Sequence, residues 1–255
     1  MSDVFAWNAI AIGCLMLIVW LISIPLKDVS IIDIVWGPGF IVVSWVTVLA
    51  VQAEGIKMLP AVLATIWGLR LGGYLAFRNH GKPEDARYAT MRNKHGDWFW
   101  WISLLTVFGL QAVVMWIVSL PLQTVGQGDA DYPVLRLVGV LLWLVGVIFE
   151  AVGDAQLAHF KSNPGNQGNV LDRGLWRYTR HPNYFGDFCV WWGLYCVALS
   201  CGALWWSAIG PAIMTVFLIK FSGVGLLEKS LRRSKPGYED YVTRTNAFFP
   251  WHPGS

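Results

Sequence analysis

The chain has 255 residues, of which 55% are hydrophobic and only 14% are charged. A soluble domain normally carries about a quarter charged residues, so this chain is too apolar to cover a surface that faces water. The composition therefore excludes an ordinary soluble protein and indicates an integral membrane protein in one compact unit. The formal net charge of +3 says little about partners by itself, and we expect no nucleic acid among them.

Apolar stretches long enough to cross a bilayer recur along the chain. A bilayer core needs about twenty apolar residues per helix. The first predicted spans are Phe5–Leu26, Ser30–Val51, Met58–Phe77, Trp98–Pro121 and Pro133–Leu157. The apolar stretch from Tyr184 to Leu227 is long enough for two more, with a break near Ser200–Gly202. The sequence thus predicts an all-α membrane helix bundle with about seven transmembrane helices, forming a single domain over residues 1–255.

Lysine and arginine are distributed unevenly between the predicted connections. The connections after the second, fourth and sixth spans carry only Lys57. The remaining connections and the tail are basic, with Arg78, Lys82, Arg87, Arg92 and Lys94 after the third span, Lys161, Arg173, Arg177 and Arg180 after the fifth, and Lys229, Arg232, Arg233, Lys235 and Arg244 in the tail. Cytoplasmic loops carry an excess of these residues. We therefore expect the amino terminus outside and the carboxyl terminus in the cytoplasm.

Several ionisable side chains fall inside the predicted spans, where they cost free energy unless they are paired or hydrated and so indicate function. They are Asp33, Arg70, Glu150, Asp154, Asp187 and Lys220. Glu150 and Asp154 are four residues apart and share one helix face, which predicts a polar cavity. For Asp33 two interpretations stay open: a functional carboxylate, or one that caps or hydrates the cytoplasmic end of its span.

The densest polar segment lies between the fifth and sixth predicted spans, over residues 171–187. Pro182 suits the first turn of a helix, whose free amides favour anions. Beside that end, or just inside it, stand Arg177, Arg180, His181, Asn183 and Asp187. The pattern predicts a pocket for a phosphorylated or carboxylated cofactor at the cytoplasmic rim. A basic loop that meets anionic lipid headgroups would explain the arginines but not Asn183 and Asp187.

Common cofactor and metal motifs are absent from the sequence. No Gly-x-Gly-x-x-Gly follows a strand and no Gly-Lys-Ser/Thr loop occurs, which excludes a Rossmann domain as the cofactor holder. The four cysteines fall in apolar stretches, and the five histidines lack metal-ligand spacing. We therefore expect no metal.

The polar segment and the tail resemble the cofactor motif of known membrane enzymes. The matching residues are Arg180-His181-Pro182-Asn183-Tyr184-Phe185-Gly186-Asp187, then Glu228 and Gly237-Tyr238-Glu239-Asp240-Tyr241. They resemble the steroid 5-alpha-reductase family with its bacterial relatives and, more distantly, the isoprenylcysteine carboxyl methyltransferases and phospholipid methyltransferases. Both groups place this motif at the cofactor site, so the motif alone does not choose between NADPH and S-adenosylmethionine.

The amino-terminal half favours the reductases. Asp33-Ile34-Val35-Trp36-Gly37, Trp67-Gly68-Leu69-Arg70 and residues 78–88 are similar to the bacterial reductase relatives. The resemblance implies a cofactor-binding part over about residues 150–255, with NADPH contacts at Asp154, Tyr178, Arg180, His181, Asn183, Asp187, Glu228 and Tyr241. The basic loop with Arg78, Lys82 and Arg87 is suited to the 2′-phosphate.

The resemblance also implies a substrate site. Steroid reductases hold the substrate carbonyl with a glutamate in the second span and a tyrosine in the third. Here Asp33 matches the glutamate, whereas the third span has no tyrosine at the matching depth and Tyr74 lies further along. We take Asp33 and Tyr74 as the candidate catalytic residues.

The leading hypothesis is an NADPH-dependent reductase of a carbonyl-conjugated carbon–carbon double bond in a steroid-like or other lipid substrate. An acid near Asp33, acting through Tyr74 or water, would hydrogen-bond the substrate oxygen as negative charge develops there. The alternatives are a methyltransferase that uses S-adenosylmethionine, and a transporter whose carboxylates form an ion path. We expect a multi-pass protein of a bacterial inner membrane, in contact with membrane lipids; the sequence does not give its oligomeric state.

Overall fold

Helices form all of the regular secondary structure in the part of the chain that the structure describes. The computed structural model describes residues 2–221, 228 and 231–254. The helices are α1 (Ser2–Leu26), α2 (Ile31–Ala50), α3 (Leu59–Asn79), α4 (Ala86–His95), α5 (Phe99–Ser103), α6 (Leu110–Val118), α7 (Leu120–Gln123), α8 (Pro133–Ser162), α9 (Pro182–Ser200), α10 (Ile209–Val216) and α11 (Tyr238–Arg244). A π-helical stretch, Leu104–Gly109, joins α5 to α6. The predicted all-α class is confirmed.

Five helical segments among the described residues are long and apolar enough to cross a membrane. They are Asp3–Leu26, Ile31–Ala50, Gly55–Asn79, Ala86–Val118 and Pro133–Ser162. α9 begins with polar residues, and the apolar helix Trp205–Lys220 is shorter. The end of the predicted seventh span, at residues 222–227, and Lys229 in the tail lie outside the described residues. The chain is thus a multi-pass membrane protein, while the count of seven and the orientation of the termini stay predictions.

The basic stretch after the third predicted span, expected to be a loop, is helical over part of its length. Residues 86–95 form α4, so the fourth helical segment begins at Ala86 and not at Trp98. The carboxylate of Asp85 caps this helix by accepting a hydrogen bond from the backbone amide of Arg87 at 2.9 Å. Such a cap satisfies one of the free amides of the first turn. As a result, the side chains of residues 87–92 have fixed positions on a helix.

The described residues group into two compact units. The amino-terminal unit consists of Met1–Pro133 and Val197–Gly210, and the carboxyl-terminal unit of Val134–Cys196 and Pro211–Ser255. The prediction that these residues form a single domain stays a prediction. Each unit is described by itself below.

In the amino-terminal unit, α2 and α3 cross with their backbones in contact. A Cβ atom added to Gly68 would lie 2.6 Å from the carbonyl oxygen of Gly37. Glycine permits such an approach because it has no side chain. Phe40 and Trp67, both buried, pack beside the crossing with their ring centroids 5.9 Å apart. The crossing fixes the first turn of α2, where Asp33 lies.

In the carboxyl-terminal unit, α8 and α9 approach through glycines spaced by seven residues. A Cβ on Gly146 would lie 2.6 Å from both the carbonyl oxygen of Gly186 and the amide nitrogen of Val190. One on Gly193 would lie 2.6 Å from the amide nitrogen of Trp143. The contact brings the buried face of α8 directly against the first turns of α9.

We predict that Gly146→Ala destabilises the protein by about 1–3 kcal/mol, because the added methyl group meets backbone atoms that cannot rotate away. Gly13→Ala is the matched control, since nothing lies within 4 Å of a Cβ at that position in α1. Thermal unfolding in detergent measures both variants. Equal stability of the two variants would show that α8 and α9 do not pack this closely.

Candidate functional site

The first polar cluster surrounds Asp33 in the amino-terminal unit. Arg87 Nη2 donates to Asp33 Oδ2 at 2.9 Å, and the Tyr88 hydroxyl donates to Asp33 Oδ1 at 3.1 Å. The Asp33 side chain is only 19% exposed, and Tyr88 is 7% exposed. Arg87 also donates through Nε to Asp85 at 2.9 Å. Both oxygens of the Asp33 carboxylate therefore accept hydrogen bonds from α4.

The cluster continues from Tyr88 through two further side chains. The Tyr88 hydroxyl accepts a hydrogen bond from Gln111 Nε2 at 3.2 Å. The indole N–H of Trp36 donates in turn to Gln111 Oε1. Trp36 and Asp33 both lie on α2, Tyr88 on α4 and Gln111 on α6. We call Trp36, Gln111, Tyr88, Asp33 and Arg87 the Asp33 network.

The tyrosine in this network is Tyr88, whereas the resemblance to the steroid reductases led to Tyr74. Tyr74 lies on α3, where the guanidinium groups of Arg70 and Arg78 stand 5.6 and 5.9 Å from the centroid of its ring. The pairing of Tyr74 with Asp33 stays a prediction, whereas the hydroxyl that contacts Asp33 here is that of Tyr88. The missed signal was Asp85, a good helix cap that places Tyr88 in the first turn of α4.

A second ion pair positions the start of α2. Arg92 donates through Nε and Nη2 to the two carboxylate oxygens of Glu84, each at 2.8 Å. The backbone amide of Val29 also donates to Glu84, at 2.8 Å. Partial burial raises the pKa of Glu84, but the hydrogen bonds from Arg92 and Val29 and the charge of Arg92 together outweigh it and hold the pKa below its usual range. Glu84 thereby connects the turn between α1 and α2 with α4. The contact at Val29 lies only a few residues before Asp33 in the sequence.

In the carboxyl-terminal unit, Arg180 and His181 share one carboxylate. Arg180 Nε donates to Glu228 Oε1 at 2.8 Å, and His181 Nε2 lies 3.2 Å from the same oxygen. Arg180 is 8% exposed and His181 2%. Burial raises the pKa of Glu228, yet the hydrogen bonds from His181 and Arg180 prevail and lower this pKa to about 2. We call this set the Glu228 clamp.

The clamp continues into the tail of the chain. Arg180 Nη1 donates to the carbonyl oxygens of Val242, at 3.2 Å, and Thr245. The backbone amide of Arg180 donates to Asn246 at 2.9 Å, and that of Trp251 donates to Tyr178 at 2.9 Å. The predicted cofactor residues Arg180, His181 and Glu228 thus hold the tail against the start of α9.

The other predicted cofactor residues of this unit lie on or beside the helices that glycines bring together. Asn183 Nδ2 donates to Asp154 Oδ1 at 3.4 Å, so α9 and α8 share a polar contact. Asp154 is 6% exposed and Glu150, one turn away, 3%. Asn183 and Asp187 are half-buried on successive turns of α9. We call the set of Glu150, Asp154, Asn183 and Asp187 the acidic wall.

Exposed groups stand just before the acidic wall along the chain. Tyr178 is 40% exposed and meets His252 edge-on at 6.2 Å, and Arg177 is exposed. The Tyr241 hydroxyl donates to the carbonyl oxygen of Trp176, and burial raises the pKa of Tyr241. Tyr178 and Arg177 are therefore available to a ligand, whereas Tyr241 serves the packing of the tail.

The donor and acceptor set of the carboxyl-terminal unit fits a nucleotide-like cofactor. Carboxylates and the Asn183 amide suit ribose hydroxyls or a carboxamide, and the exposed Arg177 beside the start of α9 suits a phosphate. The same carboxylates also suit a positively charged sulfonium ion. Among the described residues, no group of three His, Cys, Asp or Glu side chains is placed to hold a metal ion.

Comparison with known proteins gives one family and one distant relative. The family, described as a protein of unknown function (DUF1295), matches residues 19–245. The chain is 30% identical over 112 residues to the "Probable O-methyltransferase ustE" of Ustilaginoidea virens. The match covers 44% of this chain and 34% of that protein, so the chain spans about a third of the length of this relative. No solved structure matches significantly.

We predict that Glu228→Gln lowers the free energy of unfolding at pH 7 by about 1–3 kcal/mol, because it leaves two buried donors without their charged acceptor. The pKa of Glu228 is lowered from 4.5 to about 2 in the folded protein. The clamp therefore contributes in full above about pH 4.5 and is lost as the pH falls towards 2. Chemical denaturation at pH 7 and at pH 3 measures the difference between wild type and variant, which should shrink on acidification.

Glu239→Gln is the matched control, since Glu239 pairs with Arg232 at the surface with 62% of its side chain exposed. Exposed pairs contribute at most about 1 kcal/mol. A Glu228 variant as stable as the Glu239 variant at both pH values would contradict the clamp.

Proposed function

We propose that this chain, which belongs to the DUF1295 family, is a membrane reductase that uses NADPH on a carbonyl-conjugated carbon–carbon double bond of a lipid-like substrate. The observation that carries the proposal is the Tyr88 hydroxyl, held between Asp33 and Gln111 among the membrane-spanning helices of the amino-terminal unit. The resemblance of the amino-terminal half to the steroid reductases supports the same class of reaction.

The Asp33 network suits the oxygen of such a substrate. Reduction would add a hydride to the β carbon, and the carbonyl oxygen would carry negative charge until the α carbon took up a proton from water. A positioned hydrogen-bond donor at such an oxygen lowers the activation free energy by about 2.7–4 kcal/mol. Tyr88 is the neutral O–H donor of the network, and turning its O–H from Asp33 to the substrate oxygen would supply this bond.

Asp33 has a different role here from that of the acid first expected. Its two oxygens accept hydrogen bonds from Arg87 and Tyr88, so in this structure it is an acceptor. We assign it the positioning of Tyr88, with Arg87 balancing its charge. Arg87 is engaged with Asp33 and Asp85, and its assignment to the 2′-phosphate, like those of Arg78 and Lys82, stays a prediction.

The carboxyl-terminal unit supplies the candidate cofactor residues. NADPH, when bound, provides the hydride. Arg177 and Tyr178 would meet its phosphates, and Asn183, Asp154 and Asp187 would accept hydrogen bonds from its ribose hydroxyls or carboxamide. The Glu228 clamp would keep the tail and the start of α9 in place around these groups, which makes Arg180, His181 and Glu228 positioning residues.

A second candidate is an S-adenosylmethionine-dependent methyltransferase. The relative named as a probable O-methyltransferase favours it. The commitment of Arg180 to Glu228 also favours it, because S-adenosylmethionine has no phosphates and needs fewer free arginines. The Asp33 network is the feature that this alternative leaves without a role.

Ligand binding separates the two candidates. We predict that NADPH raises the unfolding temperature of the purified protein in detergent, whereas S-adenosylmethionine does not, since a ligand at a hundred times its Kd adds about 2.7 kcal/mol. NADH tests the contribution of the 2′-phosphate. Asn183→Ala and Asp187→Ala should remain folded and lose the shift. Stabilisation by S-adenosylmethionine alone would reverse the ranking.

Turnover tests the tyrosine. With an α,β-unsaturated ketone as substrate, Tyr88→Phe should lower kcat by about 10²–10³, the usual effect of removing one oxyanion donor, without weakening NADPH binding. Tyr74→Phe compares the tyrosine first selected from the sequence, and Tyr132→Phe is an exposed control. NADPH oxidation followed by absorbance measures all three. Full activity of Tyr88→Phe, or a loss confined to Tyr74→Phe, would remove Tyr88 from the reaction.

A further inference from the structure

A groove of about 610 Å³ opens at the end of α1 in the amino-terminal unit, and its lining includes none of the residues of the Asp33 network. Its volume lies within the usual range of small-molecule sites, about 300–1,000 Å³. The groove is lined by Ile24, Lys27, Arg92, Asn93, Asp97 and Trp100. It therefore combines apolar side chains from two helices with charges of both signs.

Two of its charged groups are available to a ligand. Arg92 is not one of them, because its Nε and Nη2 atoms already donate to the carboxylate of Glu84. Lys27 and Asp97 are both exposed, and no other described side chain pairs with the ammonium of Lys27 or the carboxylate of Asp97. The groove thus offers one uncompensated positive and one uncompensated negative charge, which complements a zwitterion better than an anion.

The backbone at Lys27 adopts a conformation that is strained for a lysine. Lys27 N donates to Ile24 O at 3.1 Å and Asp28 N to Ser23 O at 3.3 Å, the two bonds of a Schellman turn that ends α1. Lys27 occupies the left-handed position of this turn, with φ +50°, where glycine is favoured. Strained residues of this kind cluster at functional sites, where the side chain has a use.

The surroundings of the groove place it at the level of lipid headgroups. Trp100 and Trp101 are 40% and 49% exposed, and exposed tryptophans mark the membrane interface. Trp20 fixes this pair by donating through its indole N–H to the carbonyl oxygen of Trp100 at 2.8 Å. The exposed apolar face of α1 runs up to the groove through Leu21 and Ile24. An occupant with acyl chains would lie along that face.

We propose that this groove binds an aminophospholipid whose headgroup is a phosphoethanolamine. Its phosphate contacts the ammonium of Lys27, its own ammonium contacts the carboxylate of Asp97, and its acyl chains follow Ile24 and Leu21 of α1. Charge-assisted hydrogen bonds at both ends give the preference over lipids that match only one end. The site stands independently of the reaction proposed for the Asp33 network.

Native mass spectrometry of the purified protein tests the site. The protein is offered equal amounts of phosphatidylethanolamine, phosphatidylglycerol and phosphatidylcholine with identical chains. We expect one phosphatidylethanolamine to be retained with about tenfold preference, the ratio that corresponds to 1.4 kcal/mol. Equal retention of the three lipids, or a preference for phosphatidylglycerol, would overturn the proposal.

Two variants separate the two charges. Lys27→Gly should abolish the retained lipid while leaving the unfolding temperature in lipid-free detergent equal to or above that of wild type, because glycine relieves the backbone. Asp97→Asn should keep lipid but lose the preference for phosphatidylethanolamine over phosphatidylglycerol. Lys94→Gln and Asp129→Asn, both exposed and outside the groove, are the matched controls and should behave as wild type.

The opposite results are equally informative. A Lys27→Gly variant that keeps the lipid, or an Asp97→Asn variant with unchanged preference, would overturn the assignment. Soluble phosphoethanolamine is a final arm of the test. It should not displace the lipid, since it lacks the chains that lie on α1. Displacement at a concentration similar to that of the lipid would show a site for a soluble zwitterion and contradict the proposal of a lipid occupant.

Discussion

Charged side chains in or beside a membrane need partners from the same protein, and this requirement organises the polar part of the structure. Asp33 accepts from Arg87 and Tyr88, Glu84 from Arg92, and Glu228 from Arg180 and His181. Losing one member leaves a charge in a medium that solvates it poorly. Each carboxylate therefore holds together the segments that supply its donors. The ion pairs thereby connect helices with one another and with the tail of the chain.

Glycines let neighbouring helices approach closely enough for their polar side chains to find partners. A polar contact such as that between Asn183 and Asp154 spans 3.4 Å, and it forms only if the two helices approach closely. Gly146 and Gly186 permit this approach by letting backbone rest on backbone. In the amino-terminal unit, Gly37 and Gly68 do the same for α3 and for α2, the helix that carries Asp33. Helix packing and polar chemistry are thus linked in each unit.

The Glu228 clamp and the Asp33 network differ in the hydrogen-bonding groups that they offer to a ligand. In the Glu228 clamp the Nε and Nη1 donors of Arg180 are directed to a carboxylate and to backbone carbonyls, so the clamp builds structure. In the Asp33 network the Tyr88 hydroxyl is a neutral group that donates to Asp33 and accepts from Gln111. The proposed chemistry uses this hydroxyl, since a hydrogen-bond donor contributes most to a reaction when it is positioned in advance.

Much of the helical framework was predictable from the sequence. α1, α2, α3 and α8 lie within a few residues of the predicted spans, and α9 ends at Ser200, where the break was expected. The shared helix face of Glu150 and Asp154 was also predictable from their spacing of four residues, whereas the polar cavity expected beside them stays a prediction. These features are local: a run of apolar side chains or a fixed helical spacing determines them without reference to the rest of the chain.

Only the tertiary structure decided which side chains meet. The hydroxyl of Tyr88 contacts Asp33, because the Asp85 cap begins a helix inside a stretch that looked like a basic loop. Arg180 and Glu228 are 48 residues apart and pair because the tail folds back. The sequence alone determined the long apolar helices α1, α2, α3 and α8, since the ability of a helix to lie in lipid depends on its composition. It left the partners of the charges open, since these depend on contacts between segments distant along the chain.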